Sequence, residues 1–107
     1  MQRYASVINL KKEGAAEYQE LHANAWPDVL AKISQCNIRN YSIYRYEDLL
    51  FSYFEYVGSD YEGDMARMAQ DEVTQEWWSV CKPLMTPVLE AGKKEWWHEI
   101  QEIFHLD

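Results

Sequence analysis

The chain has 107 residues, 48% of them hydrophobic and 15% aromatic, and its 18 acidic against 10 basic side chains leave a formal charge of −8. This composition excludes a disordered chain and supplies a core for one domain spanning residues 1–107. The acidic balance, with no cluster of Lys or Arg, excludes a nucleic-acid partner, which basic contacts would have to hold.

From Arg3 to Lys11 the chain alternates, with Tyr4, Ser6, Ile8 and Leu10 in one phase and Ala5, Val7 and Asn9 in the other, which is strand period. Gly14 to about Cys36 changes to helical period: Tyr18, Leu21, His22, Ala25, Trp26, Val29 and Ile33 fall on one broad face. Pro27 predicts a kink or break near Trp26, with helix continuing beyond it. The dense β-branched and aromatic run from Asn37 to Val57, interrupted by Tyr46-Glu47-Asp48, predicts two strands of a hairpin. Ser59-Asp60-Tyr61-Glu62 matches a capping box and starts a second helix. Asp71 is placed to cap a further segment, whose stripe of Val73, Trp77, Val80, Cys81 and Leu84 closes near Pro83 and Pro87. Leu89 to about Trp96 reads as a loop, and Trp97 to Leu106 alternates again as a last strand.

The resulting order βαββαβ predicts an α+β fold of ferredoxin-like type, an antiparallel sheet with both helices on one face. Both phases of the second and third strands are rich in Tyr, Phe, Ile and Leu, so the other sheet face needs a cover. A homodimer packing sheet on sheet supplies one; a monomer with a ligand cleft between sheet and helices is the alternative.

No stretch nears the ~20 apolar residues of a membrane span, and Met1-Gln2-Arg3-Tyr4-Ala5 lacks the apolar core of a signal peptide. A cytoplasmic protein is expected. Cys36 and Cys81 fit no CxxC spacing and are too few for a disulfide framework, so buried, reduced thiols are expected.

Tyr18 and His22 stand four apart on one helix face, which makes them neighbours. On an apolar inward face a histidine is either a hydrogen-bonded core residue or an acid–base group, and the adjacent phenol favours the second. Arg39, Tyr41 and Ile43 share one phase of the second strand, Asn40, Ser42 and Tyr44 the other, and periodicity does not say which phase meets His22. Adjacent helical positions lie about 100° apart, so Trp77 joins the apolar stripe while Trp78 flanks it, where an indole suits the apolar face of a sugar ring. Trp96-Trp97 suits dimer packing or a pocket rim, and packing is the favoured reading. Glu102 shares a phase with His98, Ile100, Phe104 and Leu106 and so is expected among apolar neighbours, paired with Arg3 or Arg39 or supporting a site. His22, His98 and His105 lack metal-ligand spacing, and no glycine-rich phosphate loop occurs, so neither a metal nor a nucleotide cofactor is expected.

The run Glu17-Tyr18-Gln19-Glu20-Leu21-His22-Ala23-Asn24-Ala25-Trp26-Pro27-Asp28, then Asn40-Tyr41-Ser42-Ile43-Tyr44, Trp77-Trp78 and Gln101-Glu102-Ile103-Phe104, resembles the L-rhamnose mutarotase family over nearly the whole chain. The family often carries Asn-Pro where this chain has Ala23-Asn24, and Glu in place of Asp28. The resemblance implies a dimeric ferredoxin-like α+β fold and an enzyme that interconverts the α and β anomers of a 6-deoxy-L-hexopyranose without a cofactor. It implies His22 as proton donor and Tyr18, Tyr41, Trp77 and Trp78 as sugar contacts. An L-fucose mutarotase, a small monooxygenase and a non-catalytic ligand-binding module are the competing readings on such a fold.

Overall fold

A computed structural model describes residues 1–92 and 95–107. The chain runs β1 (Gln2–Leu10), a short 3-10 turn, α1 (Ala15–Ala23), α2 (Pro27–Gln35), β2 (Ile38–Tyr46), β3 (Leu49–Tyr56), α3 (Tyr61–Gln70), α4 (Glu72–Cys81), a second 3-10 turn, β4 (Met85–Thr86) and β5 (His98–Ile100). All pairings are antiparallel, in the order β2-β3-β1-β4 with β5 also on β1. This is the ferredoxin-like α+β arrangement that the element order implies.

The register decides what faces what. Ile8 lies opposite Leu50, Ser6 opposite Ser52 and Tyr4 opposite Phe54, so the even-numbered phase of both central strands points one way. Ile8, Leu10 and Leu50 join Tyr18, Val29, Trp77, Cys81 and Met85 in the main buried cluster, which identifies that phase as the helix-facing one. A smaller cluster of Cys36, Ile38 and Met68 extends the core toward α3.

The helical face predicted for the first long helix is the inward face, but Pro27 divides it into two helices. A residue before proline is driven out of helical conformation, and Trp26 is extended with ψ 130° while Pro27 takes the first position of α2. At α3 the cap is Asp60, one residue later than the capping box centred on Ser59: its carboxylate accepts from the Gly63 amide at 3.1 Å. A Cβ at Gly63 would lie 2.2 Å from that carboxylate, so the glycine makes room for the cap. Asp71 caps α4 as expected, accepting from the Thr74 amide at 3.0 Å and its hydroxyl at 2.8 Å. Within the expected stripe, Val80 is exposed instead of buried.

Two expectations fail at the chain's second half. β4, which pairs Met85 with Leu10, was not anticipated, because a two-residue strand carries no readable period. The last strand shrinks to His98–Ile100, paired with Ala5–Val7 of β1; beyond it Phe104 and Leu106 of the expected phase lie exposed, as does Ile103. Lys93 and Lys94 of the predicted loop lie outside the described residues.

Candidate functional site

The site is assembled where α1 and α4 cross the sheet. One helical turn separates Tyr18 from His22, and the imidazole folds back so that its Nδ1 lies 2.8 Å from the Tyr18 carbonyl oxygen. A carbonyl only accepts, so Nδ1 carries the proton and a neutral ring presents a lone pair at Nε2. The two rings stack at 4.0 Å, and Trp77 of α4 meets the imidazole edge-on at 5.1 Å. Trp26, at the α1–α2 break, closes the far side of Trp77 at 5.2 Å. Burial lowers the His22 pKa below its ordinary value, against a smaller opposing effect of the Tyr18 carbonyl.

A bulge settles which phase of β2 meets this cluster. Arg39 pairs with Glu55 but Ser42 with Tyr53, so one extra residue is accommodated, with Asn40 in left-handed conformation at φ 50°. The bulge parts Arg39 from the expected company of Tyr41 and Ile43: Ile43 packs on the core, while the Arg39 guanidinium turns to the carbonyls of Ser34 and Ile38. Tyr41 lies against Phe54 at 5.6 Å, on the helix-facing side. Phe54 continues to Tyr4 at 5.4 Å, and Tyr4 stacks on Tyr61 at 4.3 Å, forming an aromatic wall.

Phenols from opposite layers converge here. Burial raises Tyr18, with the Tyr41 phenol and Cys81 thiol as nearby secondary causes. Burial likewise pushes Tyr41 up to about 12, although the residue as a whole stays 41% exposed at its strand edge. Both phenols therefore remain protonated donors at neutral pH. Among the described residues neither hydroxyl has a hydrogen-bond partner, and neither is sealed, since the only fully enclosed unpaired side-chain atom there is Trp96 Nε1. The free imidazole nitrogen and the accessible Tyr18 and Tyr41 phenols, neighbours of one another, are polar groups that a ligand with several hydroxyls can engage.

Of the residues singled out from sequence, Tyr18, His22, Tyr41 and Trp77 come together. Trp78, on the flank of α4, packs against both the main cluster and the smaller one of Cys36, Ile38 and Met68, with the Lys82 ammonium 5.1 Å from its ring. Trp96 and Trp97 pack on the main core cluster, as read. Glu102 is not buried: it is a half-exposed partner of Arg3 at 2.8 Å. Sequence reasoning missed the Tyr4–Phe54–Tyr61 wall, whose only signal was that Tyr4 shares the phase of Ile8 and Leu10. An open groove of about 530 Å³ between α2 and the α3–α4 corner carries none of these groups; its Asp71 is committed to the α4 cap.

A family model for L-rhamnose mutarotase matches residues 3–106. Among relatives, the L-rhamnose mutarotase of Listeria monocytogenes is 31% identical over 79% of this chain and 81% of its own. That of Bacillus subtilis is 29% identical over the full length of both. Of solved structures, the L-rhamnose mutarotase of Formosa agariphila superposes over all of both chains with a TM-score of 0.78 at 22% identity. The tetracenomycin F2 cyclase of Streptomyces glaucescens shares the fold with a TM-score of 0.75 at 14% identity. With a family match over almost its entire length, the chain belongs to the L-rhamnose mutarotase family, whose members are sugar isomerases.

Proposed function

We propose that the protein carries out anomer interconversion on L-rhamnose through His22, with Tyr18, Tyr41 and the Trp77-Trp78 pair around the sugar. The observation that supports this is the imidazole itself: one nitrogen is committed to the Tyr18 carbonyl, and the other is free beside the Tyr18 ring, whose phenol has the Tyr41 phenol as a neighbour. Ring opening moves one proton. The anomeric hydroxyl loses it as C1=O forms, the bond from C1 to the ring oxygen breaks, and the ring oxygen gains it. Neutral His22 borrows that proton at Nε2 and, as imidazolium, donates it to the ring oxygen; a phenol of Tyr18 or Tyr41 steadies the anomeric oxygen. Rotation about C1–C2 and the reverse steps close the ring on the other face. Burial favours this shuttle because it makes the imidazolium a readier donor. A positioned acid–base group typically contributes about 10²–10⁴ in rate, a useful gain over a reaction that already runs in water.

NMR saturation transfer between the anomers of L-rhamnose tests the assignment, with wild type beside His22→Ala and with L-fucose as the competing sugar. Exchange faster with L-rhamnose and lost in the variant supports it; exchange that survives in the variant overturns the role of His22.

The acting unit is proposed to be a homodimer in the cytoplasm, with the sheets packed face to face. Tyr44 and Tyr46 are each 65% exposed, and Ile103, Phe104 and Leu106 stand free beyond β5, apolar surface that suits a second copy. Light scattering after size-exclusion chromatography should give twice the chain mass; a monomer at micromolar concentration refutes the dimer.

A further inference from the structure

The helix-facing side of the sheet has one rung unlike its neighbours. On one side of it stand Leu50 and Ile8, which are core residues; on the other stand Phe54 and Tyr4, which belong to the aromatic wall. Between them the two central strands present only Ser52 and Ser6, directly opposite each other. The same rung runs from Ile43 of β2, which packs on the core, through Ser52 and Ser6 to the exposed Glu99 of β5. Small side chains between large ones leave a trough one residue wide under the helices. It lies against the Tyr41–Phe54 contact on one flank and under the cluster holding Tyr18 and Trp77 on the other.

The rung is polar where a core would be apolar. Ser52 is 6% exposed, yet among the described residues neither its hydroxyl nor that of Ser6 has a hydrogen-bond partner, and neither is fully enclosed. A nearly buried hydroxyl that still has access is placed to pair with a polar group that enters from the site. Glu99 adds a carboxylate on the same face, where its charge reaches the Tyr4 and Tyr61 phenols. Residues directly opposed in an antiparallel pair hold their Cβ atoms about 4.5–5.5 Å apart. At that spacing two hydroxyls address neighbouring oxygens of one ring, and a carboxylate one strand further accepts from a third.

We infer that Ser52, Ser6 and Glu99 form a hydroxyl-reading strip on the floor of the site, which selects the sugar by its ring hydroxyls while His22 performs the proton transfer. The inference rests on the mutarotase reading for its ligand class, a pyranose with adjacent hydroxyls. Its parts have separate tasks: the strip fixes the ring, and it neither donates nor takes the transferred proton. A site built to hydrogen-bond a hydroxyl discriminates strongly against an analogue that lacks it.

The test compares wild type with the Ser6→Ala/Ser52→Ala double variant and with Glu99→Gln, using L-rhamnose and its 2-deoxy analogue. Anomer exchange is followed by saturation transfer, and binding separately by sugar-dependent tryptophan fluorescence. The double variant is expected to raise KM for L-rhamnose tenfold or more, with kcat changed less than threefold and the preference over the deoxy analogue reduced. Glu99→Gln should raise KM with the pH profile of kcat unmoved. Retained KM and preference in all variants would overturn the strip. Sugar binding weakened by the variants in a protein whose wild type exchanges no anomers would keep the strip and overturn the mutarotase reading instead. Wild type that binds neither sugar would overturn both.

Discussion

Replacing Tyr56 by Phe tests how α3, and with it the Tyr61 end of the aromatic wall, is pinned to the sheet. Tyr56 is 2% exposed, its hydroxyl donates to Asp64 Oδ2 at 2.5 Å and accepts from the Asp60 amide at 2.9 Å. Asp64 is itself 5% exposed and also accepts from Asn37 Nδ2 at 2.9 Å and from the Arg67 guanidinium. The change leaves ring packing intact and removes one donor to a buried carboxylate. Hydrogen bonds to charged groups contribute about 1.5–3 kcal/mol; the Asp60 amide, at an exposed helix start, takes water instead. A loss of about 2 kcal/mol follows, or a fall in Tm of about 8–16 °C for a domain of this size. Urea unfolding at fixed protein concentration reads it as a lower midpoint with unchanged slope. A double-mutant cycle with Asp64→Asn should show coupling of about 1 kcal/mol or more, beyond the ~0.5 kcal/mol within which independent sites add. A single-variant loss under about 0.5 kcal/mol, or additivity in the cycle, would refute the reasoning.

Gly58→Ala strikes the same network, because its Cβ would stand 2.4 Å from the Tyr56 hydroxyl and 2.8 Å from Asn37 Nδ2. It should cost about 1–3 kcal/mol in urea unfolding, and the Tyr56→Phe background should relieve this only in part, because the ring Cζ that Phe keeps stands 2.7 Å from that Cβ. Since burial lowers the His22 pKa from 6.5 and the neutral ring starts the shuttle, kcat/KM should rise with pH through an inflection below 6.5 and stay level across neutrality; an inflection above 6.5 contradicts this. Cys36 and Cys81 are 1% and 3% exposed, and burial pushes the Cys81 thiol up to about 11. Ellman's reagent should therefore label neither in the native protein at mildly alkaline pH and both after unfolding in guanidinium; rapid native labelling of Cys81 would place it outside the core.

The elements with a long period were legible from sequence. The face of Tyr18, His22, Trp26, Val29 and Ile33 could be read because inward residues of a helix recur every three or four positions, whatever they pack against. The pairing of Tyr18 with His22 followed from the same local geometry. What depends on other strands was not legible. The bulge at Asn40 lies in a run where every residue suits a strand, and only the register against Glu55 and Tyr53 shows that Tyr41 turns to the helices and Arg39 away. The alternation of Ile100, Glu102, Phe104 and Leu106 resembled a strand, but alternation reports two faces and not a partner. The serines were in plain view as single polar residues in apolar phases; that Ser6 stands opposite Ser52 is a fact about pairing between residues 46 positions apart. Local period thus determined the long elements and set Tyr18 beside His22. Tertiary register alone decided which residues of β1, β2 and β3 face the helices together, because hydrogen-bonded neighbours across a sheet leave no trace in the order of the chain.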